Sequence, residues 1–174
     1  SDTRIAHALK TAFLGTCAFV RLTFRDRVPG GARRNGHRLS CTIWCHHGVG
    51  NGLFPHSPLA KLYHVMHAFE ADIYLIGHQS KKVAAPVDRV EPTWGRRGPA
   101  LIHRTKILAC TGSFSRAYMV GSKHGNVPRG DYVEQKMLTP AALGGVMIRI
   151  RPRWVESANG SHASTWLPDL SVEQ

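Results

Sequence analysis

The chain has 174 residues, with 23 lysines and arginines against 11 acids, a formal charge of +12 and a sequence pI near 10.2. That length suits one domain with a real core. No apolar run approaches the roughly 20 residues of a membrane span, and no secretory leader is recognisable. A field of this sign draws nucleic acid, nucleotides or acidic protein surfaces, although a merely solvated cationic surface has the same composition.

In chain order, Ile5, Ala8, Leu9, Ala12 and Phe13 share one helical face, so a helix is expected over 4–16, ending at Gly15. Residues 18–25 alternate, with Val20, Leu22 and Phe24 opposite Arg21, Thr23 and Arg25, the pattern of a half-buried strand. Pro29-Gly30-Gly31 and Asn35-Gly36 mark a basic loop or hairpin tip before a second strand over 38–45. A Gly-rich loop covers 48–56. Ser57-Pro58 then reads as a helix cap followed by proline in the first turn, with Leu59, Leu62, Tyr63, Met66 and Phe69 at helical spacing. A short apolar strand, Asp72 to Ile76, follows. Strand, loop, helix and strand together predict a βαβ-like unit whose strand ends carry histidines.

Farther on, strands are expected over 82–90 and 101–110, separated by a loop holding Trp94-Gly95-Arg96-Arg97-Gly98. Residues 145–153 alternate again, with Val146, Ile148 and Ile150 opposite Met147, Arg149 and Arg151. The expected organisation is a single domain over 1–156 and a polar, poorly ordered tail over 157–174, with docking of Trp166-Leu167 as the alternative. Cys17, Cys41, Cys45 and Cys110 lie in apolar stretches and read as reduced, buried thiols. Cys41 and Cys45 lack the tight spacing of a zinc knuckle.

Two motifs carry the chemistry: Cys45-His46-His47-Gly48-Val49-Gly50-Asn51-Gly52 and Ile76-Gly77-His78-Gln79-Ser80. Each ends an apolar strand in a glycine-containing turn, where side chains can converge on a metal or a phosphate. Gly48-x-Gly50-x-Gly52 lacks the Lys-Ser/Thr of a P-loop and the spacing of a dinucleotide fingerprint. His64 and His67 fall on the exposed side of the expected helix. Imidazoles satisfied by backbone groups at strand ends are the plain structural account of His47 and His78.

His46-His47-Gly48 after a strand, a helix, and then Ala71-Asp72-Ile73-Tyr74-Leu75-Ile76-Gly77-His78 resembles the C-terminal half of calcineurin-like metallophosphoesterases. Thr111-Gly112-Ser113-Phe114, Tyr118, Asp131 to Lys136, Pro140 and Leu143-Gly144 look like the continuation in phage and bacterial members. The resemblance spans about residues 18–150. It implies an α/β (α+β) fold, a partial β sandwich with flanking helices. It also implies a two-metal site that activates a bridging water and clamps phosphate for in-line attack. By resemblance His47 and His78 are metal ligands, and His46 stands behind them as a supporting neighbour.

The sequence departs from the family in two ways. Ser80 stands where the Gly-His-x-His station ends in histidine, and a hydroxyl is a poor substitute for imidazole on a transition metal. No Asp-x-His or Gly-Asn-His-Asp/Glu station precedes His47, where the only acids are Asp2 and Asp26. Two adjacent dications need anionic ligands to offset their repulsion. The expectation is therefore a degenerate relative with a structural or polyanion-binding role and no cofactor in this chain alone. The alternative is one part of a metal-dependent phosphoric ester hydrolase, taking Mn, Zn or Fe when another chain completes the site. Candidate phosphate contacts are Arg21, Arg25, Arg33, Arg34, Arg96, Arg97, Arg149 and Arg151, with Arg153 beside them and Trp94 near enough to stack on a base. The partners implied are nucleic acid or another polyanion and, under the alternative, a protein supplying the missing half-site, with no membrane. From the phage and bacterial resemblance, the expected location is the bacterial cytoplasm or a phage particle.

Overall fold

The computed structural model describes residues 2–25, 38–49, 54, 56–79, 81–95, 98–114, 118–121, 123, 126, 130–140, 143–155 and 165–173. Among them the chain is α+β and mostly strand. The elements are α1 (Asp2–Ala8), β1 (Cys17–Arg25), β2 (Arg38–His46), α2 (Ser57–Ala68), β3 (Ile73–Ile76), β4 (Lys82–Gly95), β5 (Gly98–Thr111), α3 (Tyr132–Gln135), β6 (Met147–Val155) and β7 (Thr165–Glu173). Five strands form one mixed sheet in the order β1-β2-β3-β5-β4, and β6 and β7 form a second, two-stranded sheet. β2, β3 and β5 run parallel, while β1 and β4 are antiparallel edges.

Alternation along the parallel strands divides the core into two layers. On one face Trp44, Tyr74, Ile76 and Leu108 pack against Leu62 and Met66 of α2. On the other, Cys41, Ile73, Ile107 and Ala109 pack against Leu170 of β7, with Ile148 and Ile150 of β6 beside them. The main sheet thus lies between one helix and one β-hairpin.

The βαβ unit forms as its sequence predicts. Two local devices hold it. The Asp72 carboxylate accepts the Thr42 N–H at 2.7 Å while the Asp72 N–H donates to the Thr42 carbonyl at 2.8 Å, which locks β3 to β2 at its start. The buried Tyr74 hydroxyl donates to the Phe69 carbonyl at 2.7 Å and accepts the Ala71 N–H at 2.9 Å, satisfying backbone groups in the turn from α2 to β3.

The structure departs from several expectations. The N-terminal helix covers only Asp2–Ala8, because Lys10 takes a left-handed φ of 52°. Lys10 N–H donates to the His7 carbonyl and Thr11 N–H to the Ala6 carbonyl, a Schellman ending with lysine where glycine is usual. Ser57 is not the cap of α2. His56 takes that position without a side-chain bond, and Ser57 Oγ accepts the Phe54 N–H. The strands expected over 82–90 and 101–110 are longer and form one hairpin in unbroken register, with Trp94 opposite Pro99 near its tip. Cys17 is exposed rather than buried.

The largest departure is at the C terminus, where a poorly ordered tail is expected. Residues 165–173 instead form β7 in full register with β6, and Leu167 and Leu170 are buried. Such a strand, interrupted by Pro168 and Asp169, reads as polar because the main sheet that receives its apolar side chains lies far away in sequence. β7 covers β2, β4 and β5. β1 is left outside that cover, so Leu22 and Phe24 are each 37% exposed where alternation predicts a half-buried face.

Candidate functional site at the strand ends

The C-terminal ends of β2, β3 and β5 bring together His46-His47-Gly48, Gly77-His78-Gln79 and Thr111-Gly112. This is the end at which ligands bind in open sheets with parallel strands. Gly77 N–H donates to the His46 carbonyl at 3.1 Å, extending the parallel ladder past the strands. The two loops then touch backbone to backbone. Gly48 has φ +95°, and a Cβ there would sit 2.1 Å from the Gly77 oxygen. Only glycine permits that approach.

Close contact of the loops sets the histidine pair. The His47 and His78 rings lie 4.8 Å apart between centroids, inclined at 41°. Both residues are exposed. His78 holds a left-handed φ of 53°, a conformation that costs a non-glycine residue about 1–2 kcal/mol. Strain of this kind concentrates at functional positions. His46 points elsewhere. Its Nδ1 accepts the Gly48 N–H at 2.8 Å and its ring stacks on Trp44 at 5.7 Å. It therefore shapes the His47–Gly48 turn from behind.

The rim is cationic. Lys61 Nζ donates to the Val49 carbonyl at 3.0 Å, and Lys81 Nζ donates to the Phe54 carbonyl at 2.7 Å. Lys82 Nζ lies 3.5 Å from the Leu143 carbonyl. An ammonium carries three donors, so a lysine bonded to a carbonyl can also serve an anion. Glu70, Asp72, Asp88 and Glu91 lie toward the other end of the parallel strands. Glu70 and Asp72 precede β3, while Asp88 and Glu91 are opposite Thr105 and Ile102, before the part of β5 that pairs with β3. Cations meet them there: Lys106 is ion-paired with Glu70, and Arg104 with Glu91.

This donor set, drawn from the described residues, does not fit a pair of dications. Among the described residues no group of three or more histidines, cysteines or carboxylates is placed to hold a metal, and the rim offers two imidazoles beside three lysines. Ser80 lies outside the described residues. Burial, the larger cause, pushes the Cys45 thiol up, and burial does the same to Cys110.

One residue at this end escaped sequence reasoning. Gln79 is 4% exposed, and neither its Nε2 nor its Oε1 finds a partner among the described residues. Glutamine after Gly-His reads as a surface residue. Only the packing of the strand ends shows that it is enclosed.

The arginines do not form one surface. Arg21 is opposite Thr42 in register and so shares the α2 side of the main sheet, as does Arg25. Arg149 and Arg151 alternate with Ile148 and Ile150, so they face outward from the far layer. Acids from β7 stand among that row. Arg149 is ion-paired with Glu173, and Arg151 is opposite Asp169. Arg33, Arg34, Arg96 and Arg97 lie outside the described residues. Trp94 is 78% exposed. Comparisons with protein-family models, curated proteins and solved structures return no match.

Proposed function

We propose that this chain is a metallophosphoesterase-like protein that binds a phosphate-bearing polyanion, nucleic acid foremost, at its strand-end rim and does not hydrolyse it unaided. One observation carries the reading: His47 and His78 meet at the ends of two parallel strands on a rim edged by Lys61, Lys81 and Lys82. Such a rim favours an anion over a cation, because bringing dications beside three lysines adds repulsion, and no described group of three or more histidines, cysteines or carboxylates is placed to offset it. Phosphate oxygens accept hydrogen bonds from lysine ammonium groups and imidazole N–H groups without any chemistry on the ester.

The test is anisotropy of a short labelled single strand titrated with the protein over a range of salt. Affinity should fall as salt rises. The triple variant Lys61→Gln, Lys81→Gln, Lys82→Gln should bind more weakly and with a salt slope smaller by about 2, at roughly 0.7 for each phosphate no longer neutralised. Unchanged affinity and slope in that variant would remove the rim as the binding site.

A second reading is favoured by the same histidine contact. His47 and His78 occupy the strand-end positions that the resemblance assigns to metal ligands, so a chain supplying carboxylates would convert the rim into a hydrolytic site. Mn²⁺-dependent hydrolysis of bis-p-nitrophenyl phosphate by this chain alone, lost in His47→Ala, would displace the binding reading in favour of catalysis.

A further inference from the structure

We infer that the edge of β1, unpaired among the described residues, is a docking site for an extended, acidic segment of a partner protein, which adds to the main sheet as a further strand. The Arg21–Arg25 part of this edge, opposite Thr42 to Arg38, lies away from the strand-end rim, and its occupancy does not depend on what the rim binds.

The two edges of the main sheet differ. β4 carries Pro86 and Pro92, which cannot donate to a ladder and so blunt that edge. β1 has no proline, and it pairs with β2 from Cys17–His46 to Arg25–Arg38 with no bulge. Its outer side therefore presents the backbone donors and acceptors of alternate residues, unpaired among the described residues. That is the template for strand addition. Side chains beside it are also partly exposed. Leu22 and Phe24 are each 37% exposed on the β6–β7 side, and Phe19 is 52% exposed on the α2 side. An added strand would shield Leu22 and Phe24.

Charge selects the occupant. Arg21 and Arg25 are exposed on the α2 side, and neither has an ion pair among the described residues. A second copy of this chain is a poor fit. Antiparallel self-pairing centred on Arg21 sets that residue against itself, and centring on Thr23 sets Arg21 against Arg25. Centring on Leu22 leaves each Arg21 diagonal to two arginines. Like charges at these positions destabilise a sheet. Each copy also carries +12. A segment alternating Asp or Glu with Val, Ile or Leu does the reverse. Its acids, four residues apart, meet Arg21 and Arg25, while its apolar residues cover Leu22 and Phe24.

The experiment uses the full chain and two labelled peptides, one alternating Glu with Val and one alternating Lys with Val. The Glu peptide should bind at least tenfold more tightly. Alternate β1 amides should gain protection in hydrogen exchange, as one side of the strand already bonds to β2. Arg21→Glu with Arg25→Glu should reverse the preference, with circular dichroism showing the variant folded. Equal affinity for the two peptides, protection confined to another element, or no effect of the charge reversal would overturn the inference. A β1-dependent dimer in sedimentation would assign the edge to self-association instead. Displacement of the Glu peptide by a single-stranded oligonucleotide, with the strand-end lysines already replaced, would assign Arg21 and Arg25 to nucleic acid.

Discussion

Replacing Gly48 with alanine tests the loop contact on which the histidine pair depends. A Cβ at Gly48 falls 2.1 Å from the Gly77 oxygen, about 1 Å inside the closest approach real Cβ atoms show, and 3.1 Å from Ile76 Cγ1. The obstructing atom is backbone at the end of β3, so it cannot swing aside as a side chain would. A left-handed backbone costs alanine about 1–2 kcal/mol. Overpacking against a fixed neighbour adds about 1–3 kcal/mol. Gly15 provides the control, since its φ is +79° yet nothing lies within 4 Å of its Cβ position. Gly15→Ala should therefore show the backbone cost alone. In urea unfolding, with a slope near 2 kcal/mol per molar, Gly48→Ala should unfold about 0.5–1.5 M earlier than Gly15→Ala. It should also weaken oligonucleotide binding, because moving Gly77 moves His78 away from His47. Equal midpoints for the two variants would mean that the two loops do not touch through Gly48 and Gly77.

The packing of the core leads to further outcomes. Lys106 is 2% exposed, is ion-paired with Glu70, and donates to the Ala71 carbonyl at 2.9 Å. Lys106→Met should be near neutral in chemical unfolding, whereas Glu70→Gln should cost about 1 kcal/mol, since Glu70 is 74% exposed and Glu91 lies 3.9 Å from the same ammonium; the opposite ranking would refute the buried-charge account. Burial, and then the Asp72 carboxylate, push the Cys41 thiol up to about 12 from 9.0. The unfolded thiol ionises first, so stability present below pH 9.0 should be lost as pH rises toward 12, by about 1.4 kcal/mol per unit for that group. Iodoacetamide at pH 8 should label exposed Cys17 well before Cys41 or Cys110, and equal rates by mass spectrometry would count against the burial of those two thiols. Leu170→Ala, at a site 6% exposed between β7 and the main sheet, should cost about 2–4 kcal/mol in the same unfolding assay. A change near zero would mean that β7 does not pack there.

The βαβ core was legible because its signals are local. Leu62 and Met66 recur at helical spacing and are buried, and the apolar run from Ile73 to Ile76 is flanked by an acid that pins it and a glycine that ends it. The alternation of Val146, Ile148 and Ile150 likewise named the inward face of β6. Local signals failed where the partner was distant. The apolar face at Ile5 and Leu9 promised a longer helix, yet those residues are 59% and 71% exposed and Lys10 turns the chain. Leu167 and Leu170 gave little warning of a strand, since Pro168 and Asp169 between them mimic a tail.

At the candidate site the division is similar. The order of residues placed His47 and His78 at strand ends and gave Gly48 and Gly77 their turn-forming character, because helix and strand periods are written in nearest neighbours. Residue order also set the net charge. It left the meaning of that charge open. Parallel pairing of β2, β3 and β5 gathers the two imidazoles and three lysines at one end, with four acids toward the other. The same pairing sends Arg21 and Arg149 to opposite layers and encloses the Gln79 amide. Those facts depend on strand register and on which layer covers which face. They arise only when segments far apart in sequence exclude water together, so the tertiary structure alone decides them.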